Sequence, residues 1–344
     1  MVTNLDTNKR IEFLDIAKGI GIILVVWAHA GGPFSPQIDL FHMPLFFLIS
    51  GFLYNPKTPV KEFVIRKFKS LYIPFAFWNL LFYLMMGLYF AASLKSLTIG
   101  SIKILLTLSK EGQFLGATWF LGSLFVITVS YKLFDVGIPK SKFKDIIVLG
   151  LFTSFALIGF LVTFPYMFSR TLILGFFFAF GSFIKKYIDR YRIFDCKLIA
   201  IICAIIFFVL GNFVSVNLGE NYFNYPVLFV ISAFMASYSI LCFCQFLDNV
   251  KHSWGKRLKK GLTFLGRRSI DIVIWHFVFF RIGIIAQMGF NDEKITVSNI
   301  LSYYPIYDAG HGWWMIYLLI GLFVPLFWCW LLRIGFWGKR FKKI

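Results

Sequence analysis

Apolar segments alternate with short polar segments along the whole chain. A helix needs about 20 apolar residues to cross roughly 30 Å of hydrocarbon, since it rises 1.5 Å per residue. Ten segments fit this requirement, at residues 13–31, 38–54, 72–92, 117–135, 145–163, 169–184, 198–216, 226–247, 270–288 and 313–332. The pattern predicts an all-α integral membrane protein, a bundle of about ten transmembrane helices in a single domain over residues 1–344.

The distribution of charge orients this bundle. Hydrophobic residues make up 59% of the chain and charged residues 15%, as is typical of polytopic membrane proteins, and the net charge is +19. Lysine and arginine are concentrated in alternate connecting segments, whereas the other segments hold only Lys95, Lys103, Lys110 and Lys294. The basic segments mark the cytoplasmic side, so both termini are expected there. Because topology explains the charge, we expect membrane lipids as neighbours and no nucleic-acid partner.

The first apolar segment and the cysteines further define the class of membrane protein. The first apolar segment follows Lys9 and Arg10 but has no small-residue cleavage site, so it is predicted to be a retained helix rather than a signal peptide. The five cysteines lie in or beside predicted helices, which argues against a disulfide framework or a metal site. The chain is therefore interpreted as a multi-pass protein of the cell membrane, most naturally the bacterial cytoplasmic membrane.

The first apolar segment carries three ionisable residues within DIAKGIGIILVVWAHA, residues 15–30. Lys18 and His29 are eleven residues apart, almost three helical turns, so they share a face with Asp15, although a regular helix separates them by about 16 Å. A break near Gly19 or Gly21 would shorten that distance. Intramembrane charges are functional candidates. An Asp15–Lys18 ion pair at the inner interface and a His29 bonded to a neighbouring helix are the structural alternatives.

A second group of polar residues opens the next segment. Asp39 and His42 lie at its outer mouth, close to the predicted depth of His29. Two histidines and a carboxylate at one depth are suited to proton transfer, with the carboxylate orienting or charging an imidazole. A solvated loop acid is the alternative for Asp39.

The first inner loop is basic. Arg66, Lys67 and Lys69 precede the third apolar segment and could bind either the phosphates of a substrate or anionic lipid headgroups.

Later candidates are Glu111, Arg170, Asp271, His276, Arg281 and His311. Arg170, His276 and Arg281 are candidates for orienting a substrate, with helix–helix hydrogen bonds as the alternative. Asp271 and His276 lie five residues apart, on different faces of a helix.

These residues occur in a recognisable order. RIEFLDIAKGIGIILVVWAHA, then LFHMPLFFLISGFLY, then a basic loop that ends in LYIPFAFW, resembles the membrane-bound acyltransferase family 3, particularly its fucose 4-O-acetylase-like branch. Weaker similarities follow in TWFLGSLF, LILGFFFAFGSFIKK and GRRSIDIVIWH. The resemblance implies transfer of an acyl group, usually acetyl, from cytoplasmic acyl-CoA to a hydroxyl of an extracytoplasmic cell-surface glycan or lipid-linked sugar.

The resemblance also implies roles for residues. The family's R/K-x10-H pattern falls on Lys18 and His29, with His29 as the catalytic residue and Asp15 as the neighbouring acid. Its R-x-x-R signature is met by Arg66 and Lys69, but Ser70 stands where many relatives have an arginine. Arg66, Lys67 and Lys69 are thus expected to bind acetyl-CoA, and no metal is expected. A lysine cannot reproduce the bidentate fork of an arginine.

The same residues are also compatible with a transport function. Ten helices with buried Asp, Lys, His and Arg would also suit a proton-coupled secondary transporter or glycan exporter. Inverted halves with matching glycine or proline breaks are typical of such carriers, and the sequence has none that we detect. The outer loops NLGENYFNYP and NDEKITVSNILSYYPIYDAGHG contain aromatic and acidic residues that suit sugar binding, and interface anchoring explains them nearly as well.

Overall fold

The computed structural model describes residues 11–108, 114–166, 168–191, 194 and 196–334. Lys9, Arg10, Lys110, Glu111 and the basic residues after 334 lie outside the described residues. Within the described part, the chain forms α1 (Glu12–His29), α2 (Ser35–Asp39), α3 (His42–Phe52), α4 (Val60–Lys67), α5 (Ile73–Tyr89), α6 (Leu94–Thr107), α7 (Trp119–Gly137), α8 (Lys144–Leu161), α9 (Phe168–Tyr191), α10 (Lys197–Leu210), α11 (Pro226–Asp248), α12 (Ser253–Arg267), α13 (Ser269–Phe290), α14 (Val297–Ser302) and α15 (Trp313–Ile334). A π-helical turn, Phe68–Tyr72, joins α4 to α5, and a 3₁₀ turn, Gly310–Gly312, precedes α15.

A helix occupies each of the ten predicted segments, which confirms the all-α membrane class. In the described residues, seven helical stretches are long and apolar enough to cross a membrane: 60–89, α7, α8, 168–186, α11, α13 and 310–334. The other three predicted spans correspond to α1, which carries Glu12, Asp15 and Lys18, and to the short helices α3 and α10, with 11 and 14 residues. Helices dominate because hydrocarbon cannot satisfy backbone N–H and C=O groups.

Small residues let helices approach closely at the centre of the bundle. Gly51 of α3 lies against the carbonyl group of Phe178, and Gly181 of α9 lies against the carbonyl group of Leu48. Gly51 and Gly181 therefore allow close packing of α3 against α9. The first helix is enclosed by α2, α3, α11, α12, α13 and α15. Its polar residues therefore face protein.

The connection between α10 and α11 contains a β-hairpin. Its antiparallel strands are β1 (Val216–Asn217) and β2 (Tyr222–Phe223), with Val216 opposite Phe223 and Asn217 opposite Tyr222. The hairpin packs beside α2. It lies in the segment predicted to be outer, as does the loop that contains α14. These two connections form part of the wall of the cavity described below.

Candidate active site

The polar residues of α1 form two separate groups. The helix runs without a break from Glu12 to His29, so the suggested break near Gly19 or Gly21 does not occur. Eleven residues of regular helix place Lys18 and His29 about 16 Å apart. The inner group, Asp15 and Lys18, therefore cannot contact His29.

Asp15 is the centre of the inner group. Its carboxylate is buried and accepts contacts from Lys18 Nζ at 2.6 Å and from Arg267 Nε, on α12, at 3.3 Å. The two helices cross closely, because a Cβ at Gly19 would collide with the carbonyl group of Leu262, and one at Gly266 with that of Asp15. The inner group therefore links α1 to α12.

The outer group links α1 to α13, the helix that follows α12. His29 Nδ1 lies 3.0 Å from Nε2 of His276, and the two rings are nearly parallel, with an interplanar angle of 8°. His42 lies on the other side, with its ring centroid 6.4 Å from that of His29. Three helices thus bring three histidines together.

The hydrogen bonds of His276 determine the tautomers of the pair. His276 Nδ1 lies 2.8 Å from the carbonyl oxygen of Ile272. Since a carbonyl only accepts, His276 Nδ1 carries the proton and its Nε2 carries a lone pair. His29 must then donate through Nδ1, which leaves the lone pair of the neutral His29 ring on Nε2. This assignment follows from the network of contacts.

His29 lines an outer cavity of about 570 Å³. The lining includes polar and aromatic residues from four different parts of the chain: Asp39, His42, Trp119, Asn217, Glu220 and Tyr304. The backbone of the hairpin, residues 216–220, forms one wall. A cavity of this size with a few polar groups is typical of a site for a small molecule or one unit of a larger one.

The predicted grouping of His29, Asp39 and His42 occurs in this cavity. His42 is buried, donates through Nδ1 to the carbonyl oxygen of Ile38 at 3.0 Å, and has the same nitrogen 3.6 Å from Asp39 Oδ1. All three residues line the cavity, so they are positioned to contact one ligand.

Arg170 lies behind the cavity wall, although the sequence suggested direct contact with substrate. Its guanidinium stacks over Trp119 at 5.2 Å from the ring centroid, and Nη2 donates to the carbonyl oxygen of Gly219 at 2.6 Å. Among the described residues, Nε and Nη1 have no hydrogen-bond partner. Because Trp119 and Gly219 line the cavity, Arg170 holds two of its walls.

Arg281 and His276 are also set back from the cavity surface. Arg281 Nη1 donates to the carbonyl oxygens of Ile300 at 2.9 Å and Tyr303 at 2.5 Å, which ties α13 to the loop that supplies Tyr304. His276 is fully buried. Arg281 thus contacts the loop beside Tyr304, and His276 contacts the cavity residue His29; direct substrate contact by either residue stays a prediction.

The predicted coenzyme-binding residues lie at the other end of the molecule. Arg66 and Lys69 line an inner cavity of about 700 Å³ together with Lys61 and Ser70. Lys67 instead lies over the ring of Phe63, with Nζ 5.6 Å from the centroid. The π-helical turn begins immediately after Lys67. Two of the three predicted residues thus share one basic cavity.

Sequence reasoning did not single out several cavity residues. Trp119 lies in TWFLGSLF, a stretch noted only for its similarity to a family, and its chemistry gave no signal. Asn217, Glu220 and Tyr304 lie in the two outer loops that were recognised as suited to sugar binding. Within the described part of the chain, no three His, Cys, Asp or Glu side chains are arranged to hold a metal.

The fold is that of an integral membrane protein, and His29 and His42 line one of its cavities. A family model described as "Acyltransferase domain" matches residues 11–334. The chain therefore belongs to this family of acyltransferase domains.

One curated relative shares part of the sequence. Nodulation protein NolL of Mesorhizobium japonicum is 33% identical over 140 residues, which cover 35% of this chain and 35% of that protein. The chain thus matches only about a third of the length of this relative. No solved structure matches the chain.

Proposed function

We propose that the protein is an O-acyltransferase that moves an acetyl group from acetyl-CoA on the cytoplasmic side to a hydroxyl of a cell-surface glycan or lipid-linked sugar. Family membership supports the reaction class. The observation that carries the rest is the position of His29, which lines the outer cavity while its Nδ1 is bonded to His276. That geometry gives the cavity a base with a defined orientation.

In the proposed reaction His29 is the general base. Its Nε2 takes the proton of the acceptor hydroxyl as the hydroxyl oxygen attacks the thioester carbonyl carbon. The new C–O bond replaces the C–S bond, and the imidazolium returns its proton to the leaving thiolate. The products are an ester and a free thiol, so His29 ends the cycle neutral.

The composition of the cavity wall favours a neutral, hydroxyl-rich acceptor. Asp39 and Glu220 can accept hydrogen bonds from hydroxyl groups, and Asn217 can both donate and accept. Trp119 and Tyr304 offer aromatic faces on which a sugar ring can pack. Two carboxylates at the same cavity disfavour a negatively charged acceptor because like charges repel.

The inner cavity supports a role in binding the donor. Arg66, Lys69 and Lys61 present positive charge at the cytoplasmic end, which fits the phosphates of coenzyme A. The thioester must then reach His29, which lines the cavity at the other end of the molecule. Lys18 and Asp15 are assigned to structure, since their charges are paired with each other and with Arg267.

The test compares acetylation by wild type, His29→Ala and His252→Ala at equal membrane levels. His252 is exposed and precedes α12 on the inner side, so its variant controls for loss of a histidine as such. Mass spectrometry of surface glycans, and transfer of labelled acetyl from acetyl-CoA in isolated membranes, provide the readouts. We expect His252→Ala to match wild type and His29→Ala to lose at least about 10²-fold in rate. Near-normal transfer by His29→Ala would overturn the proposal.

A further inference from the structure

His276 is completely enclosed and uses both ring nitrogens within the protein. Nδ1 bonds the carbonyl oxygen of Ile272 at 2.8 Å, and Nε2 bonds His29 Nδ1 at 3.0 Å. The remaining ring neighbours include Phe277 and Phe280, at centroid distances of 4.5 and 5.7 Å. The side chain is 0% exposed and is not part of the cavity lining. His276 therefore acts, if at all, through His29.

The contacts of His276 permit one arrangement of protons. If His29 carried its proton on Nε2, its Nδ1 lone pair would face the lone pair on Nε2 of His276 at hydrogen-bond distance, which is repulsive. The Ile272 carbonyl oxygen prevents His276 from relieving this repulsion by moving its own proton to Nε2, because Nδ1 would then face an oxygen without a hydrogen between them. The pair thus selects the His29 tautomer that has a lone pair on Nε2.

The same surroundings keep the catalytic charge on His29. A proton transferred from His29 to His276 would place a cation in a fully buried pocket with two phenylalanine rings. Burial of an unpaired charge is strongly unfavourable, whereas His29 borders a polar cavity. His276 consequently accepts a hydrogen bond from the His29 imidazolium and does not relay the proton.

We propose that His276 is a positioning residue that fixes the tautomer and ring orientation of His29. This inference rests on the proposed role of His29 as base. This role requires an acceptor atom at the position of His276 Nε2. A side chain that only fills space would need the right shape but no acceptor. A glutamine at position 276 can place an amide oxygen close to the position of Nε2, whereas leucine or methionine cannot accept the hydrogen bond in this way.

The experiment measures transfer of labelled acetyl from acetyl-CoA to the endogenous glycan fraction of membranes that contain equal amounts of each protein. The variants are His276→Leu, His276→Met, His276→Gln, His29→Ala and Phe280→Leu. Phe280→Leu is the packing control, because Phe280 contacts the His276 ring and is fully buried but does not touch the cavity. Methionine is a second acceptor-poor substitution whose flexible chain fills the same space if leucine prevents insertion.

We expect His276→Leu and His276→Met to lower the apparent kcat by about 10²-fold, the size of a general-base contribution, with the KM for acetyl-CoA changed by less than about twofold. His276→Gln should recover at least about a tenth of the wild-type rate, and Phe280→Leu should remain within a few-fold of it. Activity of inserted His276→Leu or His276→Met at the wild-type level would overturn the inference. So would a His276→Gln rate as low as theirs.

The two proposals fail in different ways. Retained transfer by His29→Ala would remove the proposed base, and the inference about His276 with it. Loss of transfer in His29→Ala together with full activity in His276→Met would leave the base in place and reject the positioning role alone.

Discussion

Both ends of α1 carry ionisable side chains, but the surroundings of these side chains differ. At the inner end, the carboxylate of Asp15 is enclosed by Lys18 and Arg267, and neighbouring glycines bring α12 close to the helix. At the outer end, His29 has one edge bonded to His276 and lines a cavity of about 570 Å³. One end is closed by charge pairing, and the other is open to a ligand.

The comparison shows that an ionisable residue within a membrane helix has to be judged by its partners. Charges of opposite sign in contact compensate each other, so the loss of one of them destabilises the crossing between the helices. A neutral imidazole held by a neutral acceptor keeps its capacity to take up a proton. The α12–α13 unit supplies both kinds of partner, Arg267 at the inner end and His276 at the outer end.

The largest effect on stability is expected for Asp15→Asn, which leaves two cations without their shared counter-charge. Breaking a buried ion pair costs about 3 to 5 kcal/mol. Lys18 and Arg267 are 22% and 45% exposed, so water screens them and the expected loss is about 1 to 3 kcal/mol. Thermal unfolding of the detergent-solubilised protein measures it. Because Asp15 is assigned to structure and not to the reaction, acetyl transfer per folded molecule should stay within about threefold of wild type.

The same variant tests whether the inner end of α1 is purely structural. If Asp15→Asn unfolds like wild type yet transfers acetyl as slowly as His29→Ala, the inner group belongs to the reaction rather than to the packing of α1.

The crossing of α1 and α12 provides the next prediction. Gly266→Ala places a methyl group against the carbonyl oxygen of Asp15, and overpacking of this kind costs about 1 to 3 kcal/mol. Gly261→Ala is the matched control on the same helix, because nothing lies within 4 Å of its Cβ position. There alanine should raise stability by roughly 0.5 to 1 kcal/mol through its higher helix propensity. Equal unfolding temperatures for the two variants would contradict the close crossing.

A smaller effect is expected for Arg170→Lys at the outer end. The change removes the planar group that stacks on Trp119 and shifts the donor that bonds Gly219. A stacked cation is worth about 0.5 to 2 kcal/mol, so transfer to the endogenous glycan should fall by roughly tenfold while the KM for acetyl-CoA stays the same. A change in that KM with no change in the saturated rate would argue against a role of Arg170 in shaping the acceptor cavity.

Much of the fold could be predicted from the sequence because hydropathy is a local property. Each of the ten apolar segments contains a helix, and the five-residue spacing of Asp271 and His276 correctly separates them. Asp271 pairs with Arg333 at 2.7 Å, whereas His276 faces His29. The hairpin escaped prediction because its strands are only two residues long each.

The site was less predictable because its partners are distant in sequence. His29 and His276 are 247 positions apart, and no local spacing indicates that they meet. The contacts of the two arginines were equally difficult to predict. Arg170 and Arg281 have the charge expected of substrate ligands, but both donate hydrogen bonds to backbone carbonyl oxygens behind the cavity wall. Residue type selected the candidates, and packing determines what they contact.

The smallest effect is expected at the two basic inner cavities, which differ in their proposed use. Arg66 and Lys69 line one; Lys256 and Lys260 line another of about 600 Å³ beside α12. The double variant Arg66→Ala/Lys69→Ala should raise the KM for acetyl-CoA by about twofold to thirtyfold, the size expected from losing two exposed charge contacts of about 0.2 to 1 kcal/mol each. The increase should shrink at high salt, because screening weakens these contacts in wild type as well.

Lys256→Ala/Lys260→Ala is the control of equal charge change and should leave the KM for acetyl-CoA unaltered. The opposite result would place the donor beside α12, next to Asp15, and would make the inner end of α1 part of the donor site.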